Sequence, residues 1–267
     1  MSGKVQKLLK PGDLGEFAET IKLFRKNAKK FKVLGGGSNT IIRNGNIPLI
    51  STSKLSNFEF DGNYVQTEVG VELSVLVREA EKRGLSGIEF ASGIPGTIGG
   101  AVFMNSGAFG EEISQCVEKV TVVDENGNLN DLDVSELEFS YRRSVFHDEK
   151  MWIASCLLRL NYSTPSEVSR RTRRFLEIKA HAQPLTMPSV GCIFKNPRSG
   201  YAAQLIDRAG LKGYEVGGVR VSEKHAGFFV NIGGATFEDF KAVYDEVFRR
   251  VKEKFAVALE PEITIIW

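Results

Sequence analysis

Apolar residues recur every three or four positions in several stretches of the chain, a spacing typical of helices with one buried face. The first stretch begins at Leu14, and Asp13 before it is a plausible N-cap, because a carboxylate can accept the exposed amides of a first turn. The strongest stripe lies near the end of the sequence. The predicted helices cover Leu14–Phe24, Leu73–Arg83, residues 166–181, residues 201–209 and the stripe from Phe237 to Val251.

Short apolar runs bounded by turn residues predict strands. They lie at 31–34, 40–43, 48–51, 64–69, both sides of the turn 125–128, 152–160, 219–221, 227–231 and 263–267. Residues 87–110 and 184–200 are rich in glycine or proline, so we predict long structured loops there. The mixed order of elements predicts an α+β protein. A polar stretch ending in Pro165 predicts a domain boundary, with one domain over 1–162 and a smaller one over 163–267.

Composition narrows the class of protein. The 267 residues are 42% hydrophobic and 25% charged, with a net charge of +2, so no global field favours nucleic acid. No run of about 20 apolar residues predicts a membrane span, and the N-terminus lacks an apolar signal core, so we expect a cytoplasmic protein. The three cysteines are widely spaced, which argues against a disulfide framework and against a metal site. Four arginines between 170 and 174 form either a solvated helix face or an anion clamp.

Two glycine-rich segments follow predicted strands. Glycines let backbone amides approach a phosphate closely, although a plain turn explains the first segment equally well. In the second segment the apolar residues Ile94, Pro95 and Ile98 suit a flat ring, and a packing loop is the alternative reading. The predicted nucleotide-binding residues are Gly35, Gly36, Gly37, Ser38 and Asn39 in the first segment and Gly93, Ile94, Pro95, Gly96, Thr97, Ile98 and Gly99 in the second.

The paired glycine segments resemble the FAD-binding domain of the vanillyl-alcohol-oxidase type, also called the PCMH type. Four further motifs occur in the order found in the UDP-N-acetylenolpyruvoylglucosamine reductase family, and the chain is similar to the shorter subtype of that family. The motifs are Phe139–Ser144, which is similar to Tyr-Arg-x-Ser, Pro188–Pro197, which is similar to Gly-Ser-x-Phe-Lys-Asn-Pro, Val221–Phe228 and Leu259–Ile263.

The resemblance implies an FAD domain in two α/β lobes followed by a smaller α+β substrate domain. It also implies that NADPH and a UDP-sugar use one site in turn: hydride passes from NADPH to flavin N5 and then to C3 of the enolpyruvyl ether, and a proton adds at C2. The product, UDP-N-acetylmuramate, enters peptidoglycan synthesis, and hence cell shape and division. We expect non-covalent FAD, because no histidine lies in either glycine segment. We also expect a monomer. An oxidase of the same superfamily and a non-enzymatic nucleotide-binding module are the rival classes.

Three residues are the predicted catalytic groups. Arg142 offers a permanent planar charge to a carboxylate, with Arg143 as the alternative, and the motif position favours Arg142. Glu262 is similar to the family's acidic residue and acts only if it is a neutral acid, with Glu260 as the competitor on the same strand face. Cys192 stands where the family usually carries a serine proton donor, and a thiol keeps that role open.

The resemblance also implies a set of substrate-binding residues and shows several departures. Phe109 replaces a usual tyrosine, Ala182 replaces a usual lysine for which Lys179 or His181 can substitute, and the family's usual segment before the first helix is not recognisable. His225 is equally a structural histidine or a ligand. The predicted substrate-binding residues are Asn105, Tyr141, Lys195, Asn196, Gln204 and His225.

Overall fold

The computed structural model describes residues 7–43 and 47–266, and the chain divides into two compact units. The N-terminal unit comprises residues 7–36 and 47–176, and the C-terminal unit comprises residues 37–43 and 177–266. The chain therefore leaves the N-terminal unit inside the first glycine segment, is back in it from Ile47, and leaves it again after Leu176. The predicted domain boundary at residue 162 stays a prediction.

The described residues form six α-helices and eighteen strands. The helices are α1 (Leu14–Lys26), α2 (Leu73–Lys82), α3 (Ile98–Met104), α4 (Pro165–Ala182), α5 (Ala202–Arg208) and α6 (Phe237–Phe255). The strands are β1 (Leu8–Leu9), β2 (Lys32–Leu34), β3 (Thr40–Ile42), β4 (Leu49–Ser51), β5 (Phe58–Asp61), β6 (Tyr64–Glu68), β7 (Leu85–Ser86), β8 (Gly107–Ala108), β9 (Glu111–Glu112), β10 (Val117–Val123), β11 (Leu129–Asp133), β12 (Trp152–Arg159), β13 (Asn161–Tyr162), β14 (Ser189–Cys192), β15 (Glu215–Val216), β16 (Val219–Val221), β17 (Phe228–Asn231) and β18 (Thr264–Ile266).

The N-terminal unit is built on two sheets. A three-stranded parallel sheet has the order β1-β4-β2, and a five-stranded antiparallel sheet has the order β11-β10-β12-β6-β5. Helix α1 buries its apolar stripe, including Phe17 and Ile21, in the core of this unit. Its N-cap is Asp13, whose Oδ1 accepts the Glu16 amide at 2.8 Å, which confirms the prediction.

In the C-terminal unit, α6 packs against a four-stranded antiparallel sheet of order β14-β17-β16-β15, and α5 packs against α6. Its core holds Phe229 from the sheet together with Phe240 and Val247 from one stripe of α6. Thr236 begins that helix in a capping box with Asp239, so the backbone amides of these two residues are both bonded. A separate parallel pair joins β3 to β18, so the second half of the first glycine segment leads into this unit.

The mixed α and β architecture is confirmed, and two predicted loops are corrected. Residues 87–110 contain α3, because Ile98, Ala101 and Val102 bury one apolar face despite the neighbouring glycines. Residues 184–200 contain β14, which pairs with β17. Strand β5 was missed, and the predicted strand at 263–267 ends in Trp267, which lies outside the described residues. Within 7–43 and 47–266, no helix is long and apolar enough to cross a membrane.

Candidate active site

The two glycine segments adjoin each other in the N-terminal unit. A Cβ at Gly36 would come within 3.0 Å of the Gly96 Cα, and a Cβ at Gly35 would come within 2.7 Å of Thr97 Oγ1. Gly96 itself has φ of +127°, in the region that side chains rarely adopt. These glycines therefore let the two segments pack backbone against backbone.

The start of helix α3 fixes the second glycine segment. Thr97 Oγ1 accepts the Gly100 amide at 3.4 Å, and the amides of Ile98 and Gly99 donate to the carbonyls of Val71 and Val69, each at 2.9 Å. Ile98, which we predicted to face a flat ring, is instead fully buried, because it lies on the core face of α3. Flavin contacts by the other members of the segment stay predictions.

The end of the first glycine segment has a structural partner that sequence reasoning missed. Asn39 Nδ2 donates to the Glu262 carbonyl at 3.0 Å, and the Asn39 carbonyl accepts the Thr264 amide at 2.9 Å. Both bonds lie within the C-terminal unit and continue the β3–β18 pairing. Asn39 therefore ties Gly37–Asn39 to the segment that carries Glu262. Cofactor contacts by Gly37, Ser38 and Asn39 stay predictions.

Arg142 lies in a tight turn of the N-terminal unit. Ser140 and Arg143 exchange backbone hydrogen bonds of 3.0 and 3.1 Å, and Arg142 between them has φ of +55°, which is uncommon for a residue with a side chain. Its guanidinium donates to the Gly107 carbonyl at 2.8 Å and to the Asn105 carbonyl at 3.4 Å. The Arg142 side chain is only 16% exposed, so the guanidinium is a nearly buried cation that these two carbonyls hold in position.

The neighbours of Arg142 explain the rest of its motif. Arg143 forms an ion pair with Asp148 at the surface, which favours Arg142 as the functional arginine. Ser144 is buried and donates its hydroxyl to the Phe103 carbonyl at 2.6 Å, so it attaches the turn to the last part of α3. Tyr141 is exposed, with the Arg142 guanidinium carbon 4.9 Å from its ring centroid. A substrate contact by Tyr141 stays a prediction.

Asn105 organises the surroundings of Arg142. It is 1% exposed, its Nδ2 donates to Glu112 Oε2 at 2.8 Å and to the Ser140 carbonyl at 3.1 Å, and its Oδ1 accepts the Ser114 amide at 3.2 Å. These bonds join α3, the β8–β9 hairpin and the Arg142 turn. Direct substrate binding by Asn105 stays a prediction.

Cys192 and Glu262 lie on neighbouring backbone segments of the C-terminal unit. Cys192 ends β14 opposite Phe228, and the register shifts between it and Ser189. The next residue, Ile193, accepts the Glu262 amide on its carbonyl at 2.8 Å. Glu262 is half-buried whereas Glu260 is exposed, which favours Glu262 as the functional carboxyl.

Cys192 differs from the other two cysteines in exposure. Cys116 and Cys156 are buried, and burial raises the pKa of each thiol to about 12. Cys192 is only partly buried. It is therefore the cysteine whose thiol a substrate or a reagent can reach.

The predicted substrate residues of the C-terminal unit divide into two kinds. Asn196 Oδ1 accepts the Ala202 amide at 3.1 Å and so caps α5, and His225 Nδ1 accepts the Gly227 amide at 3.2 Å. Burial, with a smaller effect of Lys212, lowers the pKa of His225, so the ring is neutral at pH 7 and is no cationic phosphate ligand. Lys195 is half-buried and Gln204 is exposed. Substrate binding by these residues stays a prediction.

Lys179 on α4 is buried, and burial lowers its pKa from the ordinary 10.5 to about 8. Sequence reasoning had proposed this residue or His181 as the replacement for the basic residue missing at Ala182. The exposed His181 instead lies on the surface of the same helix, with Nδ1 2.8 Å from the Glu177 carbonyl. Lys179 is therefore protonated at pH 7 but loses its proton at a lower pH than an exposed lysine does.

This shift in pKa predicts a pH dependence of stability. Between pH 8 and 10.5 the unfolded chain keeps the proton on Lys179 while the folded chain releases it, so this group makes the free energy of unfolding rise with pH. Relative to a Lys179→Met variant, the natural protein should gain about 3 kcal/mol across that window, at about 1.4 kcal/mol per pKa unit. Urea titrations at several pH values measure the difference, with the exposed Lys252→Met as control. Parallel curves for natural protein and Lys179→Met would contradict the shift.

Comparisons with known proteins identify both parts of the chain. Residues 5–133 match a family model described as an FAD binding domain, and residues 183–266 match the C-terminal domain of UDP-N-acetylenolpyruvoylglucosamine reductase. The chain is 39% identical to the reductase of that name from Caldicellulosiruptor bescii, over 100% of this chain and 86% of the relative. It is also 39% identical to the one from Lactococcus lactis, over 96% and 89%. The crystal structure of the Thermus caldophilus reductase matches with a TM-score of 0.83 and 32% identity, over 97% and 92%.

The fold and the matched domains define a flavin-dependent oxidoreductase with an FAD-binding domain and a separate second domain. Identity of this extent over essentially the whole chain then settles the family. The chain belongs to the UDP-N-acetylenolpyruvoylglucosamine reductases, as the motifs indicated.

Proposed function

We propose that this chain uses NADPH to reduce UDP-N-acetylenolpyruvoylglucosamine to UDP-N-acetylmuramate, in the cytoplasm, as a step of peptidoglycan synthesis. The observation that carries the proposal is the pairing of a reachable thiol, Cys192, with the half-buried carboxyl Glu262 on adjacent segments of the C-terminal unit. Reduction of an enolpyruvyl ether needs a proton donor and a group that stabilises the carboxylate as it takes up charge, and Cys192 and Glu262 are residues of these two kinds.

The residues present fit FAD. Gly35, Gly36 and Gly96 bring the two glycine segments together, and glycine amides can approach the phosphates of a dinucleotide closely. Bound FAD would supply a two-electron carrier that accepts hydride from NADPH and passes it to C3 of the substrate. We propose non-covalent binding, since none of the three histidines lies in a glycine segment; His147, for example, stacks on Phe103 with ring centroids 4.1 Å apart.

Arg142 is suited to stabilise the substrate carboxylate. Hydride addition at C3 moves negative charge onto that carboxylate, and a fixed guanidinium lowers the energy of this charge without having to reorganise. The two carbonyls that hold Arg142, together with Glu112 Oε1 at 3.8 Å, fix its position beforehand.

Cys192 is proposed to hold the proton that adds at C2. The thiol is only partly buried, and cysteine is among the side chains that act as general acids. Glu262 assists as a neutral acid that donates a hydrogen bond to the substrate carboxylate. Its backbone is fixed on both sides, by the Ile193 carbonyl and by Asn39 Nδ2.

The visible spectrum of the purified protein tests this function. We expect the absorption of oxidised flavin near 450 nm, as is usual for flavoproteins. Anaerobic addition of NADPH should bleach this absorption almost completely, and addition of the enolpyruvyl sugar should restore it. Recovery with oxygen but not with the sugar would indicate an oxidase. A colourless protein that binds nucleotide without turnover would indicate a binding module, and either result would overturn the proposal.

A further inference from the structure

Glu89 is an ionisable residue that the reaction does not use, and it lies in the core of the N-terminal unit. Its side chain is fully buried, its Oε1 accepts the Ser86 hydroxyl at 2.7 Å, and its Oε2 accepts the Gly87 amide at 2.6 Å. Arg171 of α4 brings one guanidinium nitrogen to 3.6 Å from Glu89 Oε1 and donates from the same nitrogen to Ser86 Oγ at 3.2 Å. A buried carboxylate with these partners is a rigid anchor for Arg171.

The other end of the Arg171 guanidinium reaches a different element. Its Nη2 donates to Glu111 Oε1 at 2.5 Å, and Glu111 belongs to the two-residue strand β9. Strand β9 pairs with β8 so tightly that a Cβ at Gly107 would come within 2.3 Å of the Glu111 carbonyl oxygen. The hairpin is braced again where Phe109 at its tip stacks on Phe175 of α4, with centroids 4.4 Å apart and planes at 5°.

The braced hairpin is the one that holds Arg142. Gly107, on β8, supplies the carbonyl at 2.8 Å from Arg142 Nη2, and Glu112, on β9, places its carboxylate 3.8 Å from Arg142 Nη1. A continuous series of contacts therefore runs from the buried Glu89 through Arg171 and Glu111 to the guanidinium of Arg142. Among the four clustered arginines, Arg171 is the one with this role, and Arg170, Arg173 and Arg174 are exposed.

We propose that Arg171 and Glu111 are positioning residues for Arg142: they fix the β8–β9 hairpin so that its carbonyl and carboxylate hold the Arg142 guanidinium in place. The expected change in reaction rate rests on the proposed function, whereas the expected change in the position of Arg142 does not. Because small misplacements of a group that stabilises a transition state cost large factors in rate, the brace contributes to turnover without touching substrate.

Replacing Glu111 by alanine tests the brace while leaving the Glu89–Arg171 pair intact. In stopped-flow experiments, reduction of the flavin by NADPH should be unchanged, and reoxidation by saturating enolpyruvyl sugar should slow by about 10- to 100-fold. Glu111→Gln should largely restore the rate, because its amide oxygen still accepts the Arg171 bond. Glu59→Ala removes the same negative charge from an exposed site of the N-terminal unit and should behave as the natural protein. Equal loss in both half-reactions, or no loss, would overturn the proposal.

Crystal structures of the two Glu111 variants give a readout independent of activity. In Glu111→Ala the Arg142 guanidinium should leave the Gly107 carbonyl, whereas in Glu111→Gln it should remain. If Arg142 keeps that bond in the alanine variant, the brace is wrong whatever reaction the protein catalyses. If the natural protein does not turn over the enolpyruvyl sugar, the proposed function fails. The crystal structures still show whether Arg171 and Glu111 position Arg142.

Discussion

Cys192→Ala should reduce its flavin with NADPH at the natural rate and then reoxidise with the enolpyruvyl sugar roughly 10²–10⁴-fold more slowly, the usual cost of losing a positioned acid. The two half-reactions separate because hydride transfer to the flavin requires no proton at substrate C2. Arg142 and Glu262 remain in the variant, so charge stabilisation is kept and only the proton is lost. Stopped-flow measurement of each half-reaction decides the matter, and a natural rate of reoxidation would make Cys192 a packing residue.

Two controls sharpen this result. Cys192→Ser should keep substantial activity, because a hydroxyl donates from a similar reach, and it should resist iodoacetamide. The natural protein should be inactivated by iodoacetamide, with substrate protecting, and should lose turnover at alkaline pH as the thiol ionises. Cys116 and Cys156 serve as internal controls, since burial that raises the pKa of each to about 12 leaves them unreactive.

Gly36→Val and Gly96→Val should each abolish flavin binding. At Gly36 the new Cβ would press on the Gly96 Cα at 3.0 Å, and backbone cannot move aside as a flexible side chain can. At Gly96 a branched residue would be forced to a φ of +127°. The ratio of flavin to protein absorbance after purification measures the loss, with circular dichroism to establish folding. Gly12→Val is the matched control, because its Cβ would meet only the end of the Glu16 side chain at 3.3 Å. Full occupancy in either folded variant would remove these segments from the flavin site.

The sequence predicted the elements whose signals are local. The stripe of α6 and the Asp13 cap are both read from neighbouring residues, and both are confirmed. Helix α3 was missed because Gly99 and Gly100 in its first turn mimic a loop, while its stability comes from burying Ile98 against the core. That burial is a tertiary effect, which overrides the low intrinsic helix propensity of the two glycines.

The proposed functional residues divide in the same way. Arg142, Cys192 and Glu262 stand out through motifs, but what holds Arg142 does not, because the acceptors are backbone carbonyls of a distant hairpin. Backbone partners are invisible in a sequence, since every residue type offers the same carbonyl. Likewise a lysine is normally exposed, so the burial of Lys179 and its lowered pKa follow only from the packing of α4.

The pairing of β3 with β18 has a consequence for synthesis on the ribosome. Asn39 and Glu262 lie 223 residues apart, and Thr40–Ile42 has its only strand partner in Thr264–Ile266 among the residues described. The ribosome synthesises the glycine segment early, but β3 can pair with β18 only after nearly all of the remaining chain has been added. At about 5–20 residues per second this delay lasts about 10 to 45 seconds. During it an apolar strand edge stays open to chaperones or to neighbouring nascent chains.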